Sequence, residues 1–323
     1  MMQFYKKRDF GTIISDTFLF FKENGKNYFK NYILINGLLL ILLVAIIAFG
    51  YRELFGQIFG GNSSGQNYYF ESYFQENRWM LIFISLVVFI LFLAVSMISY
   101  SYPILYMKRL SETGNRNIKA DEILSDLKNN TGRFFKLFLG LVFIVTPAAF
   151  FIIGFSYLLV LIIIGFFLLL LVMPAIMNAV NFLMFDYFHT KKSFFQSLSY
   201  ALRSQFSYQT GREKSPFWKY WGSTTVIYLI IQTVTSVFTL IPVIMIFATM
   251  YTVPQGGGNL QENPFTGSMG VLFFAAYGVS ILVSFLLMNI IYINAGFQYY
   301  DSRTDLHRNV DLTEIDSIGF HEI

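Results

Sequence analysis

Apolar residues in this chain fall into six long runs separated by polar segments. A helix of about 20 mostly apolar residues crosses roughly 30 Å of hydrocarbon, so each run predicts a membrane-spanning helix. The first covers Asn31 to Gly50 and the second Trp79 to Met107, long enough to tilt or to project beyond the bilayer. From Leu137 to Phe185 there is no Asp, Glu, Lys, Arg or His over 49 residues, which suits two crossings joined by a tight turn near Gly154 to Ser156. The fifth crossing runs from Tyr220 to Met250 and the sixth from Ser268 to Phe297. Between them lies the turn-rich Val253-Pro-Gln-Gly-Gly-Gly-Asn-Leu-Gln-Glu-Asn-Pro264. The expected fold class is an all-α integral membrane protein, a single six-helix domain over residues 1–300 with a short acidic tail at 301–323.

The polar segments carry a second pattern, with period 3.6. Apolar residues recur at Phe10, Ile13, Ile14 and Phe18, at Ala120, Ile123, Leu124 and Leu127, and at Phe194, Phe195, Leu198, Ala201 and Leu202. Each set predicts an amphipathic helix lying in the headgroup layer. Each segment closes with two aromatics and a lysine just before an odd-numbered crossing: Tyr28-Phe29-Lys30, Phe134-Phe135-Lys136 and Phe217-Trp218-Lys219. Ile13-Ile14-Ser15-Asp16 parallels Ile123-Leu124-Ser125-Asp126, and Ser193-Phe-Phe-Gln196 has the form of a capping box. The chain therefore reads as three repeats of interfacial helix, anchor and transmembrane hairpin, over about 8–107, 118–185 and 192–297. Aromatic and lysine side chains fix the depth of a span. Simple anchoring by the triplets and a docking surface for a partner on Ile123, Leu124, Leu127, Phe194, Phe195 and Leu198 are both consistent with the pattern.

Charge placement orients these repeats. Of the 23 Lys and Arg residues, 21 precede odd-numbered crossings or lie in the tail, and only Arg52 and Arg78 fall on the other side. Positive residues near span ends stay in the cytoplasm, which predicts cytoplasmic termini in a bacterial inner membrane. The segment of about 30 residues before the first crossing is too long for the n-region of a signal peptide, so the first crossing is expected to remain as an anchor. Composition agrees, with 55% hydrophobic, 19% aromatic and 13% charged residues against about 25% charged in soluble domains. Cysteine is absent, which excludes disulfides, thiolate nucleophiles and cysteine metal sites.

The arrangement resembles a known family, the membrane domain of some bacterial glycerophosphoryl diester phosphodiesterases and related stand-alone multi-pass proteins of unknown function. Phe10-Gly-Thr-Ile-Ile-Ser-Asp-Thr-Phe-Leu-Phe-Phe-Lys22 is similar to the family's opening segment. Ser193 to Arg203 with Phe217-Trp218-Lys219 resembles its central cytoplasmic helix, and Phe297-Gln-Tyr-Tyr-Asp-Ser-Arg303 its closing stretch. The family's phosphodiesterase chemistry belongs to a separate soluble domain that this chain does not contain, so the resemblance implies no enzyme. Similar stand-alone proteins are often encoded with other small membrane proteins and a MoxR-type ATPase, which implies membership of a membrane complex.

Within the predicted crossings there is no acid or base to mark an ion pathway. Their polar side chains include Asn36, Asn178, Asn181, Asn289 and Asn294. In the fifth crossing Gln232, Thr235, Ser236 and Thr239 form one stripe, and in the sixth Ala276, Ser280 and Ser284 recur every four residues. The stripe and the small face are expected to pack together, and a substrate path lined by these groups is the alternative. Gly61-Asn62-Ser63-Ser64-Gly65 matches the nucleophile elbow in letters only, because no histidine lies on its side of the membrane. Asp186 with His189, and Asp301 and Asp305 with His307, have the residue types of a metal site but read as juxtamembrane surface, so no metal or cofactor is expected. Gly256-Gly257-Gly258 lacks the Lys-Ser/Thr of a phosphate loop and reads as a turn. An outer loop from Tyr51 to Asn77 is crowded with aromatics that fold onto lipid or bind another subunit. The leading expectation is a non-catalytic membrane-complex subunit bound to lipid and other membrane proteins, with no nucleic acid. A transporter or lipid-handling protein is the runner-up.

Overall fold

In the computed structural model, residues 2–50, 66–208, 214–252 and 267–307 are described, and among them every regular element is helical. The outer-loop residues 51–65, the Gly61 to Gly65 elbow, the triple-glycine turn and the tail beyond His307 lie outside the described residues.

The N-terminal pattern departs from expectation. Helix α1 runs without a break from Phe10 to Gly50, so the predicted interfacial helix and the first crossing belong to one continuous helix. No proline interrupts it, and Gly25 has only ordinary contacts with Phe21, so nothing in the segment ends the hydrogen-bond ladder. After α2 (Gln66–Glu76), helix α3 (Arg78–Thr113) retains its helical path through Pro103. The second polar segment does form a discrete helix, α4 (Ala120–Asn129), which ends at Asn130, and α5 (Thr131–Gly140) follows. One widened turn at Leu141–Val145 precedes Pro147 and leads into α6 (Thr146–Leu158). Proline cannot donate to the turn before it, and an added residue per turn accommodates the lost bond.

The link between the third and fourth crossings begins at Leu159, five residues later than Gly154 suggests. A tight turn at Leu159–Ile162 ends at Ile163, whose φ of 67° is left-handed, and α7 (Ile164–His189) begins at once. The glycine that matters is Gly165. A Cβ there would overlap the backbone of Ser156, Leu159 and Val160, whereas at Gly154 it would meet nothing within 4 Å. Gly165→Ala is expected to cost about 1–3 kcal/mol, because the crowding is against backbone. Gly154→Ala is expected to be neutral or slightly stabilising. Thermal unfolding of the two variants in detergent checks the difference.

Helix α8 (Phe194–Ser204) carries the third apolar set, and its expected capping box is formed, the Ser193 side chain accepting from the Gln196 amide and the Ser193 amide donating to Gln196 Oε1 at 2.9 Å. Helices α9 (Phe217–Thr252) and α10 (Gly267–Ser302) complete the set. Among the described residues, six helical segments are long and apolar enough to cross a membrane.

Contacts divide the chain into two compact units. One gathers Met1–Phe29, Ser101–Tyr228 and Ile290–Ile323 around aromatic side chains, with Tyr28, Tyr102, Tyr106, Phe182, Tyr220 and Phe297 buried. Tyr28 meets the edges of Tyr102 and Tyr106, each at 4.9 Å between centroids. The other unit holds Lys30–Tyr100 and Leu229–Asn289. There Asn36 Nδ2 donates to Ser99 Oγ at 2.9 Å, and Ser280 Oγ donates to the Phe238 carbonyl at 2.8 Å. A wholly apolar groove of about 270 Å³ runs past Ile41, Ala45, Ala48, Phe274 and Gly278.

Candidate functional site

The densest polar chemistry gathers in the first unit, on the last turns of α10. Phe297, Gln298, Tyr300 and Asp301 are all buried. Asp301 Oδ1 accepts the Arg8 amide at 2.6 Å. Its Oδ2 accepts Lys219 Nζ at 2.6 Å, the Tyr220 hydroxyl at 2.5 Å and the Tyr208 hydroxyl at 3.3 Å. Lys219 also donates to the Arg8 carbonyl at 2.7 Å and to Tyr208 at 2.5 Å, so three protons meet three acceptors. The residue read as a headgroup anchor is therefore an internal counter-ion. Arg8 is itself buried. Its guanidinium donates to Asp16 Oδ2 at 2.8 Å and to the carbonyls of Phe4 and Gln3 at 2.7 and 2.6 Å, and lies over the Phe297 ring at 4.8 Å. Burial lowers its pKa, and the bond to Asp16 opposes that shift. The N-terminal segment is thereby fastened to the end of α10.

Next along α10 lies a second network. Gln298 Nε2 is 2.8 Å from Ser223 Oγ, Thr224 Oγ1 and Asn294 Oδ1. Thr224 donates to Asn178 Oδ1 at 2.6 Å, and Asn294 Nδ2 donates to Thr17 Oγ1 at 3.1 Å. Thus α1, α7, α9 and α10 share one hydrogen-bonded seam. Two of its buried atoms, Asn178 Nδ2 and Gln298 Oε1, have no partner among the described residues. Asn181 is buried on the same helix as Asn178, and Asn289 bonds to the carbonyls of Phe285 and Leu286 on its own helix.

The residue types that raised a metal site are engaged with protein partners. Asp186 is fully buried and accepts Lys192 Nζ at 3.0 Å. His189 Nε2 is 2.8 Å from the Tyr300 hydroxyl, and Nδ1 is 2.9 Å from the Phe185 carbonyl. Arg303 pairs with Asp305 at 2.8 Å, which holds the Asp305 carboxyl below its ordinary range. Among the described residues no group of three or more His, Asp or Glu could hold a metal.

The aromatic-aromatic-lysine triplets share one orientation in part. Tyr28 and Phe134 are buried, Phe29 is half-buried, and Lys30, Phe135 and Lys136 are exposed. Phe217 stacks on Phe206 at 5.2 Å, and Trp218 is exposed. On the short helices, Ile123 is fully buried, Leu127 half-buried and Leu124 exposed. The buried face of α8 is small, made by Ser197, Ala201 and Ser204. Phe195 and Leu202 are exposed, while Phe194 and Leu198 are half-buried. Phe194 packs directly over Gly140 of α5.

The polar stripe of the fifth crossing divides in a way its spacing does not reveal. Thr235 is buried with Oγ1 unpartnered, Ser236 is half-buried, and Gln232 and Thr239 are exposed. On α10, Ser280 bonds to α9 through the Phe238 carbonyl, the Ser284 hydroxyl donates to the Ser280 carbonyl on its own helix, and Ala276 is half-buried. The sequence reading missed Arg8 and Gln298, and took Asp301 for juxtamembrane surface. A usable signal existed, since Phe182-x-x-Phe-Asp186 and Phe297-x-x-Tyr-Asp301 place a carboxylate at the same point after an even-numbered crossing.

No family model, no curated protein and no solved structure matches the chain. Its fold defines the class by itself, an all-helical, multi-pass membrane protein.

Proposed function

We propose that this chain is a non-catalytic inner-membrane subunit that holds partners within a multiprotein membrane complex. In this reading the six crossings form three hairpins with short amphipathic helices in the headgroup layer, and both termini are cytoplasmic, as the distribution of Lys and Arg supports. The resemblance to stand-alone relatives of the phosphodiesterase membrane domain points the same way. The observation that carries the proposal is the inverted packing of α8, which turns Ser197, Ala201 and Ser204 inward and leaves Phe195 and Leu202 exposed. Apolar side chains turned outward from a helix that has a small inner face mark a contact surface. On α4 the corresponding outward residue is Leu124, because a charge at the buried Ile123 would unfold the helix rather than release a partner.

The test is affinity purification in mild detergent followed by mass spectrometry, comparing the natural chain with Phe195→Glu plus Leu202→Glu. The expected result is loss of co-purifying chains while the variant remains inserted and abundant. An unchanged set of partners, or a natural chain that repeatedly purifies alone, refutes the proposal. The second reading, a transporter or lipid-handling protein, is favoured by the unpartnered Asn178 Nδ2 and Gln298 Oε1, which leave hydrogen-bonding capacity inside the seam.

A further inference from the structure

Gln232 stands near the middle of a membrane-spanning segment, Phe217–Met245, and its side chain is exposed. It lies eleven residues beyond Trp221, about 16 Å along the helix axis at 1.5 Å per residue. That is roughly half the hydrocarbon thickness, too deep for the side chain to reach the headgroups. Thr235, on the buried face of α9, leaves its Oγ1 unpartnered, whereas the polar neighbours outside that face are satisfied within the helix. Thr233 donates to the Leu229 carbonyl at 2.8 Å, Ser236 to Thr233 at 2.8 Å and Thr239 to Ser236 at 3.1 Å. Gln232 makes no hydrogen bond to any described residue. An amide facing lipid tails has nothing to bond, so the helix face that carries it requires a protein partner at that depth.

We infer that α9 pairs with α9 of a second copy of this chain, Gln232 amide against Gln232 amide. A primary amide carries both a donor and an acceptor, and a two-fold axis through the contact brings the N–H of each copy to the carbonyl oxygen of the other. The surrounding face fits such a crossing. Leu229, Thr233, Ser236 and Leu240 flank Gln232 at helical spacing, with the leucines exposed. Small hydroxyl residues beside the amide let two helices approach closely, and the leucines close the seam above and below. Lipid tails offer the amide neither donor nor acceptor, and a helix of a different protein would need a polar group placed to match. This surface is a membrane-spanning face separate from α8, so the inference stands whether or not α8 binds a partner.

The natural chain has no cysteine, which permits a direct test in proteoliposomes of the purified full chain. Ser236→Cys places a thiol on the seam with little change of volume, and Leu38→Cys places one on an exposed face of α1. Mild oxidation is expected to give covalent dimers from Ser236→Cys and few from Leu38→Cys. Adding Gln232→Leu to Ser236→Cys is expected to weaken dimerisation by roughly tenfold or more in dilution series, whereas Gln232→Asn retains it. Leucine suits a lipid-facing site, so loss of the dimer in that variant does not report misfolding. Equal cross-linking at both cysteines, a dimer indifferent to Gln232→Leu, or a monomer at every dilution overturns the inference. So does a different chain bound through Gln232 in place of the second copy.

Discussion

Asp301→Ala is expected to destabilise the protein by about 3–5 kcal/mol, the largest effect of any single polar substitution in the chain. The carboxylate is fully buried and accepts from the Arg8 amide, Lys219, Tyr208 and Tyr220. Removing it leaves the Lys219 ammonium, only 16% exposed, without its counter-charge. Leaving a buried charge unpaired costs more than the pair itself contributes, which makes the double variant informative. Asp301→Ala with Lys219→Met is expected to recover a large part of the loss. Limited proteolysis gives a second reading, because release of the Arg8 amide frees the backbone around Lys6 and the buried Arg8 for trypsin. Denaturant titration in detergent measures the cycle. A loss below about 1 kcal/mol for Asp301→Ala would mean that the carboxylate is a surface group and that the N-terminal segment is held by other contacts.

The crossings were legible because hydrocarbon thickness imposes a length and a polarity that no other solvent imposes, and the 49-residue run without a charge shows it most clearly. Helix ends were less legible, since continuity depends on the absence of a breaker and not on the hydrophobic pattern. The polar Lys22 to Lys30 stretch reads as an interruption, yet the backbone of α1 passes through it unbroken. The turn after α6 was misplaced for a related reason. Gly154 and Ser156 have turn-like composition, but Gly165 is where the backbone needs the missing Cβ, while Ile163 takes the left-handed conformation that sequence rules reserve for glycine.

The polar seam was half legible. Asn178 and Asn294 were singled out as unusual in apolar helices, and the fold joins them through Thr224 and Gln298. Gln298 escaped notice and Asp301 was read as surface because they fall just beyond the apolar run, where a polar residue is unremarkable in sequence. Burial at that place comes from the N-terminal segment packing Phe4 against Tyr300 at 5.1 Å, a contact across almost the whole chain length. Lys219 was read with Lys30 and Lys136 because the triplets match, and only the position of Asp301 distinguishes it. For Gln232 the spacing was correct and the direction was not, since a stripe shows which residues share a face but not which neighbour that face meets.

Gln298→Leu is expected to cost about 1–3 kcal/mol, and Asn178→Leu less than about 1 kcal/mol, although both side chains are buried amides in one network. Gln298 is the hub, with Ser223, Thr224 and Asn294 all at 2.8 Å from Nε2, so its removal takes away the bonds that tie α10 to Ser223 and Thr224 of α9 at this level. Asn178 supplies one acceptor, to Thr224, and carries an Nδ2 with no partner. Leucine there deletes an unsatisfied donor together with the acceptor, and Thr224 can turn its hydroxyl to the carbonyl one turn back on α9. Leaving a buried donor unmade costs about as much as a good hydrogen bond contributes, so the two changes at Asn178 nearly cancel. Thermal and denaturant unfolding in detergent should therefore rank Gln298→Leu well below Asn178→Leu. The reverse order would show that Asn178 Nδ2 is partnered in the protein, by water or by a bound molecule. A seam holding such a molecule in a substrate path would also make Asn178→Leu defective in uptake at unchanged stability, which would favour the transporter reading over the scaffold.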